Sequence, residues 1–287
     1  MNIERKIKHR DSHSLPGVLV ILVALVFSGC QKVINIDLNE VAPRTVIEGL
    51  ITDRAGPYIV KISKSGSYFN QPVLPPVSGA LVIITDDAGT TDTLKEIRPG
   101  IYQTSKTRGI PGRTYTLKVI SENVEYTGSS TMHSHVNIDS LGLAKSTSHY
   151  IGLGGDSKVE INVDLHCFFR DPLEKNFYRV KVTRNDTTRS DDYRLYDDQY
   201  TNGQETELRV THAKAGDKDR IELYSLDMQT YGYYRTLEDL LYTNPIFGST
   251  PANPNTNLSN GALGYFGACA VAFRTIVITN TLINTVK

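Results

Sequence analysis

Apolar and polar residues alternate most regularly between Lys158 and Phe169. Val159, Ile161, Val163, Leu165, Cys167 and Phe169 interleave there with Glu160, Asn162, Asp164, His166 and Phe168. A period of two puts one face of a strand in a core and the other in water. Shorter runs of the same kind occupy Thr45–Thr52, Pro57–Lys64, Ala80–Thr85, Gly100–Thr104, Arg113–Ser121 and Glu125–Thr131. Turn-rich steps separate them: Asp53-Arg54-Ala55-Gly56, Asp86-Asp87-Ala88-Gly89, Pro111-Gly112 and Glu122-Asn123. Strands at this spacing predict an Ig-like antiparallel β-sandwich over residues 40–132.

From His133 to Gly155 the chain is polar, glycine-rich and weakly patterned, and a domain boundary is placed at its start. Residues 133–287 then read as a β-rich domain. Asn176–Arg184 returns from the Arg170-Asp171-Pro172 turn, and the charged Asn185–Asn202 stretch reads as a loop. Glu205–Thr211 and Arg220–Leu226 look like a strand pair. Tyr231, Tyr234, Leu237 and Leu241 recur at the 3–4 spacing of an amphipathic helix over Met228–Thr243, capped by Asp227 and stopped at Asn244-Pro245. Phe247–Gly261 is an irregular loop, and Leu263–Phe273 and Thr275–Thr279 are closing strands apolar enough to be central. The expected fold is therefore mostly β: an N-terminal sandwich, then a β-rich domain with one amphipathic helix.

One apolar run does not belong to this scheme. Val18 to Phe27 follows Arg5, Lys6, Lys8 and Arg10 and closes on Ser28-Gly29-Cys30. A basic leader, a short apolar segment and small residues mark an export signal. The run falls short of the roughly 20 apolar residues that a spanning helix takes. A cysteine directly after the small pair makes a lipobox. Residues 1–29 are expected to be a lipoprotein signal peptide, Cys30 the lipidated residue and residues 30–39 a tether. Acyl chains on Cys30 would anchor the protein to a bilayer.

Charge changes the picture only by exclusion. The precursor has 31 basic and 31 acidic residues; removing four and two with the leader leaves 27 and 29, a net charge of −2. Nucleic acid selects basic faces, so it is not an expected partner. Sixteen Tyr, eight Phe and no Trp suit an extracytoplasmic β-protein. Cys167 and Cys269 either form a bridge in an oxidising compartment or lie buried as small hydrophobes.

Candidate chemistry is sparse. His133-Ser134-His135 is half a zinc site, but no third ligand follows at ligand spacing, and a solvated linker is the plainer reading. Gly152-Leu153-Gly154-Gly155-Asp156-Ser157 has neither the elbow of a nucleophilic serine nor the βαβ setting of a dinucleotide loop. Asp86, Asp87 and Asp92, and Asp191, Asp192, Asp197 and Asp198, offer oxygens without a repeatable calcium spacing. No catalytic residue, metal or cofactor is assigned. Tyrosine gives rigid amphipathic area at interfaces. Tyr193, Tyr196 and Tyr200 are accordingly the candidate contacts for a ligand or partner, while the helix tyrosines Tyr231, Tyr233 and Tyr234 read better as core.

Three stretches carry a resemblance. They are Ile34–Glu40 with Val46-Ile47-Glu48-Gly49 and Gly56-Pro57-Tyr58; Phe169-Arg170-Asp171-Pro172 with Asn176–Val180; and Asn244-Pro245 with Ser259-Asn260-Gly261 and Gly264-Tyr265-Phe266-Gly267-Ala268. In this order, over essentially the whole mature chain, they resemble the Bacteroidota lipoproteins known as the domain of unknown function 4249 family. The resemblance implies an outer-membrane lipoprotein, facing the periplasm or the cell surface, accessory to a SusC-like TonB-dependent transporter. It carries over no catalytic residues. The function expected is non-enzymatic capture or delivery of a nutrient, whether small molecule, glycan or peptide. The competing expectation is a surface hydrolase acting on glycan or peptide, whose paired carboxylates would meet in space rather than in sequence.

Overall fold

The computed structural model describes residues 42–66, 74–151, 157–242 and 253–286. The first half carries β1 (Thr45–Thr52), β2 (Ile59–Lys64), β3 (Leu81–Asp86), β4 (Thr91–Thr93), β5 (Lys95–Arg98), β6 (Ile101–Gln103), β7 (Thr114–Ser121) and β8 (Val124–Thr131). The second carries β9 (Ser140–Ile151), β10 (Ser157–Arg170), β11 (Phe177–Arg184), β12 (Thr187–Asp197), β13 (Glu205–His212) and β14 (Lys218–Leu226). It ends with α1 (Met228–Tyr242), β15 (Leu263–Val277) and α2 (Asn280–Asn284). The protein is thus mostly β. The strands form sheets ordered β12-β11-β14-β15-β1-β2-β6-β5, β4-β3-β7-β8 and β13-β10-β9.

Strand β15 explains how these sheets share cores. Its even positions Phe266, Ala268 and Ala270 enter the core that Ile47, Ile62, Val82, Leu117 and Val119 build between the large sheet and the four-stranded one. Ala272, on the same face, enters the core of Leu165, Phe169, Val180, Leu208 and Leu223, shared with the three-stranded sheet. The odd positions Cys269 and Val271 turn the other way and pack with Tyr233 and Tyr234 of α1. Both faces are covered, so Phe266–Ala272 is buried without a break. A continuous apolar run, rather than an alternating one, is the sequence mark of such a strand.

The boundary expected near His133 falls in the β8–β9 connection, and the large sheet runs across it. β1, β2, β5 and β6 come from one side and β11, β12, β14 and β15 from the other, meeting where β1 and β15 pair in parallel. Ala42–Lys287 forms one compact unit.

The helix forms as expected. Asp227 accepts the Thr230 N–H at 2.6 Å, an N-cap bond. Its second oxygen accepts the Ser130 hydroxyl and, at 3.2 Å, the Thr131 N–H on β8. One carboxylate therefore starts the helix and ties it to the first sandwich.

Several expectations are corrected. Asn185–Asn202 is not a loop throughout: Asn185 and Asp186 take φ of 50° and 61°, a two-residue turn, and β12 runs back antiparallel to β11. The weakly patterned stretch after His133 contains β9, paired with β10. As the edge of its sheet it stays polar. β13 and β14 are strands but do not pair with each other; β13 joins β10, and β14 lies between β11 and β15. The two closing strands are one, continuous through Arg274. Of the two readings left open for Cys167 and Cys269, the buried one holds: both are free and lie in different cores.

Candidate binding cleft

The expected contact tyrosines take different settings, and the side chain of Tyr193 lies outside the described residues. Tyr193 lies opposite Lys181 in the β11–β12 ladder. Tyr196 is half-buried against the second core, and its hydroxyl donates to the Arg209 carbonyl at 2.8 Å. Tyr200 is 83% exposed in the turn after β12. The helix tyrosines belong to a buried cluster instead. Tyr233 stacks on Tyr265 with ring centroids 4.4 Å apart, and the hydroxyls of Tyr234 and Tyr265 share a short hydrogen bond. The Arg179 guanidinium sits 4.3 Å from the Tyr234 ring centre. Burial pushes the Tyr234 and Tyr265 hydroxyls up. Cys30, with the leader and tether, lies outside the described residues, as do residues 152–156 of the glycine-rich stretch.

The aspartates expected in turns are occupied by amides. Asp92 is buried and accepts N–H bonds from Ser105, Lys106 and Thr107 at 2.6–2.8 Å. Burial raises this carboxyl, but those amides and the Ser105 hydroxyl outweigh it and hold it at about 2. Asp86 accepts the N–H of Ala88 and Thr90 across its own hairpin. The side chains of Asp191 and Asp192 lie outside the described residues, and Asp197 accepts the Gln199 N–H. Among the described residues no three His, Cys, Asp or Glu side chains converge as a metal site would require.

Two buried carboxylates, Asp171 and Asp198, lie close enough to sense each other. Asp171 accepts the Tyr178 hydroxyl at 2.5 Å and the Gly203 N–H at 3.2 Å. Asp198 accepts the Asn176 N–H at 2.7 Å. Burial raises the Asp171 carboxyl above the usual carboxylate range, the Tyr178 and Gly203 bonds oppose that, and Asp198 adds a smaller push upward. Their oxygens close turns, which is how the Phe169-Arg170-Asp171-Pro172 stretch is held.

Two recesses among the described residues lie along the β8–β9 connection. Val136 and Ile138 are buried while His135, Asn137 and Asp139 point outward, a period of two without a strand partner. Two bonds pin the segment. The Arg274 Nε donates to the Ile138 carbonyl at 2.6 Å, and the Asp139 N–H donates to the Phe168 carbonyl at 2.8 Å. On one side opens a cleft of about 470 Å³, floored by Val271–Arg274 of β15 and walled by Arg54. On the other side lies a groove of about 540 Å³ bordered by Arg170-Asp171-Pro172 and the exposed Leu173.

Within the cleft Phe273 is 43% exposed. The Arg54 guanidinium, from the turn after β1, lies 4.1 Å from its ring centre, and that of Arg220, on β14, lies 4.3 Å away. Asp53, beside Arg54, accepts the Val271 N–H at 2.8 Å and so fixes the turn that carries Arg54. His135 Nε2 stands 3.9 Å from the other Asp53 oxygen. Of these residues the sequence had singled out only His135, as half of a zinc site. Arg54 and Phe273 lie too far apart along the chain for any spacing rule to join them.

Three sheets about a shared central strand, with a polar and aromatic cleft on one connection, define the class: a mostly β protein with a surface recess of ligand size. The chain belongs to the family described as Domain of unknown function (DUF4249), whose sequence model matches residues 31–275. No curated protein matches it.

Proposed function

We propose that the protein is a lipid-anchored outer-membrane component that captures or delivers a ligand for a TonB-dependent transporter and performs no chemistry on it. The single observation behind the binding role is the cleft beside Phe273. Its guanidiniums and ring are fixed before any ligand arrives, which lowers the entropy lost on binding. A site of a few hundred Å³ with a few convergent polar groups is the usual form of a small-molecule site. The anchor reading rests on the lipobox at Phe27–Cys30, and the family match begins at residue 31, directly after it. Tethering both partners to one membrane would raise their effective concentration.

The test has two arms. Metabolic labelling with a fatty acid should mark the wild-type chain and fail to mark Cys30→Ser. Affinity capture of the tagged, full-length chain from native outer membranes should then bring down a TonB-dependent transporter in near-stoichiometric amount. Labelling of Cys30→Ser, or recovery of the protein alone after cross-linking, overturns the anchor and the docking role respectively.

A further inference from the structure

We infer that the cleft beside Phe273 is a site for an oxyanion, a carboxylate or phosphate group on a small ligand, with Arg54 as its principal contact. This rests on the binding role proposed above and adds the chemical class of ligand.

The two arginines on Phe273 are not equivalent. Arg220 is ion-paired with Glu222 at 3.0 Å, so its charge is met within the protein. Among the described residues Arg54 has its place on the ring but no carboxylate or carbonyl partner for its guanidinium. Phe273 thus holds a cation whose N–H fork is unspent. The cleft adds Arg274, fixed by its bond to Ile138, and the one carboxylate that lines it is that of Asp139. With Arg54 and Arg274 against Asp139 the lining carries a charge of +1, on a mature chain that is net acidic. A guanidinium presents parallel N–H donors that match two oxygens of a carboxylate or phosphate. Stacking on an aromatic ring pre-orients that fork and adds attraction for the cation. The volume suits a ligand the size of an acidic sugar or a short peptide terminus.

The experiment is calorimetric titration of the full-length chain in detergent with D-glucuronate, glucose 6-phosphate and uncharged glucose. At least one acid should bind, with glucose about tenfold weaker or worse, the difference one charge-assisted contact makes. Binding of glucuronate alone identifies a carboxylate site, and of glucose 6-phosphate alone a phosphate site. Arg54→Gln should abolish the preference for acid. Phe273→Leu should weaken it several-fold by freeing Arg54, and Arg235→Gln on α1 should leave it unchanged. If Arg54→Gln shows no cooperative melt, the salt dependence of the wild type decides. Binding should weaken between about 50 and 500 mM NaCl, because the site is open to solvent. Equal binding of acid and glucose, no binding of either acid at about 10 mM, retained preference in a folded Arg54→Gln, or salt-independent binding overturns the inference. Transporter capture is read separately, so either proposal fails without the other.

Discussion

The carbonyl oxygen of Ile47 occupies the space where a β-carbon on Gly264 would stand. These residues face each other across the parallel β1–β15 pair, and Gly264 also has φ of +88°, a conformation that other residues adopt only with strain. Gly264→Ala should therefore lose roughly 2–4 kcal/mol, from strain plus displacement of β1. Gly89→Ala, at φ +85° but with open space around it, should lose only about 1 kcal/mol. Urea denaturation of the two variants side by side checks the difference; equal losses would show that backbone strain alone matters.

Asp227 joins α1 to β8 through a single carboxylate. Asp227→Ala removes an N-cap and leaves the Ser130 hydroxyl and Thr131 N–H without that acceptor, a loss of roughly 2–3 kcal/mol. Asp227→Asn keeps one oxygen for the cap and should recover part of it. Thermal melts followed by circular dichroism would read both.

Asp92 sets a pH dependence. Its carboxyl is held at about 2 in the fold, against 3.8 in an unfolded chain. A depressed carboxyl stabilises fully above the unfolded value, and that contribution is lost as pH falls from about 4 towards 2. The wild type should lose stability in this window. Asp92→Asn should start less stable at pH 7 and fall less steeply, which acid titration of the melting temperature would show.

Cys167 and Cys269 should be silent to thiol reagents in the folded protein. Burial pushes the Cys167 thiol up to about 12 and raises Cys269 as well, so neither offers thiolate at pH 8. A colorimetric thiol assay should find neither under native conditions and both in denaturant. Reaction of one under native conditions would reveal local opening of its core.

Strand existence was legible wherever burial was one-sided, as in Lys158–Phe169 and Arg113–Ser121, because period two survives there. It failed where environment rather than sequence set polarity. β9 is an edge strand and reads as loop, while the Asn185-Asp186 turn was hidden by the charged residues of β12. Pairing was less accessible still: nothing local says that β14 sits beside β15 rather than β13. The cleft was least legible, because Arg54, His135 and Phe273 come from three distant segments, brought together by the β1–β15 pair and by the bond from Arg274 to the Ile138 carbonyl. Arg54 reads as a turn residue, and Phe273 as the tail of a buried strand.

The order in which the chain leaves the ribosome gives that pair one more meaning. β1 is among the first structured segments to emerge, yet its parallel neighbour begins at Leu263, more than 200 residues later. Closing so long a loop delays folding, since its entropy is lost before the contact forms. The large sheet cannot be completed until β15 has been made, and a chain cut short before Leu263 would have two half-sheets and no strand to join them. The topology itself thus makes completion of the large sheet a late event in folding, without a separate device to hold the chain open.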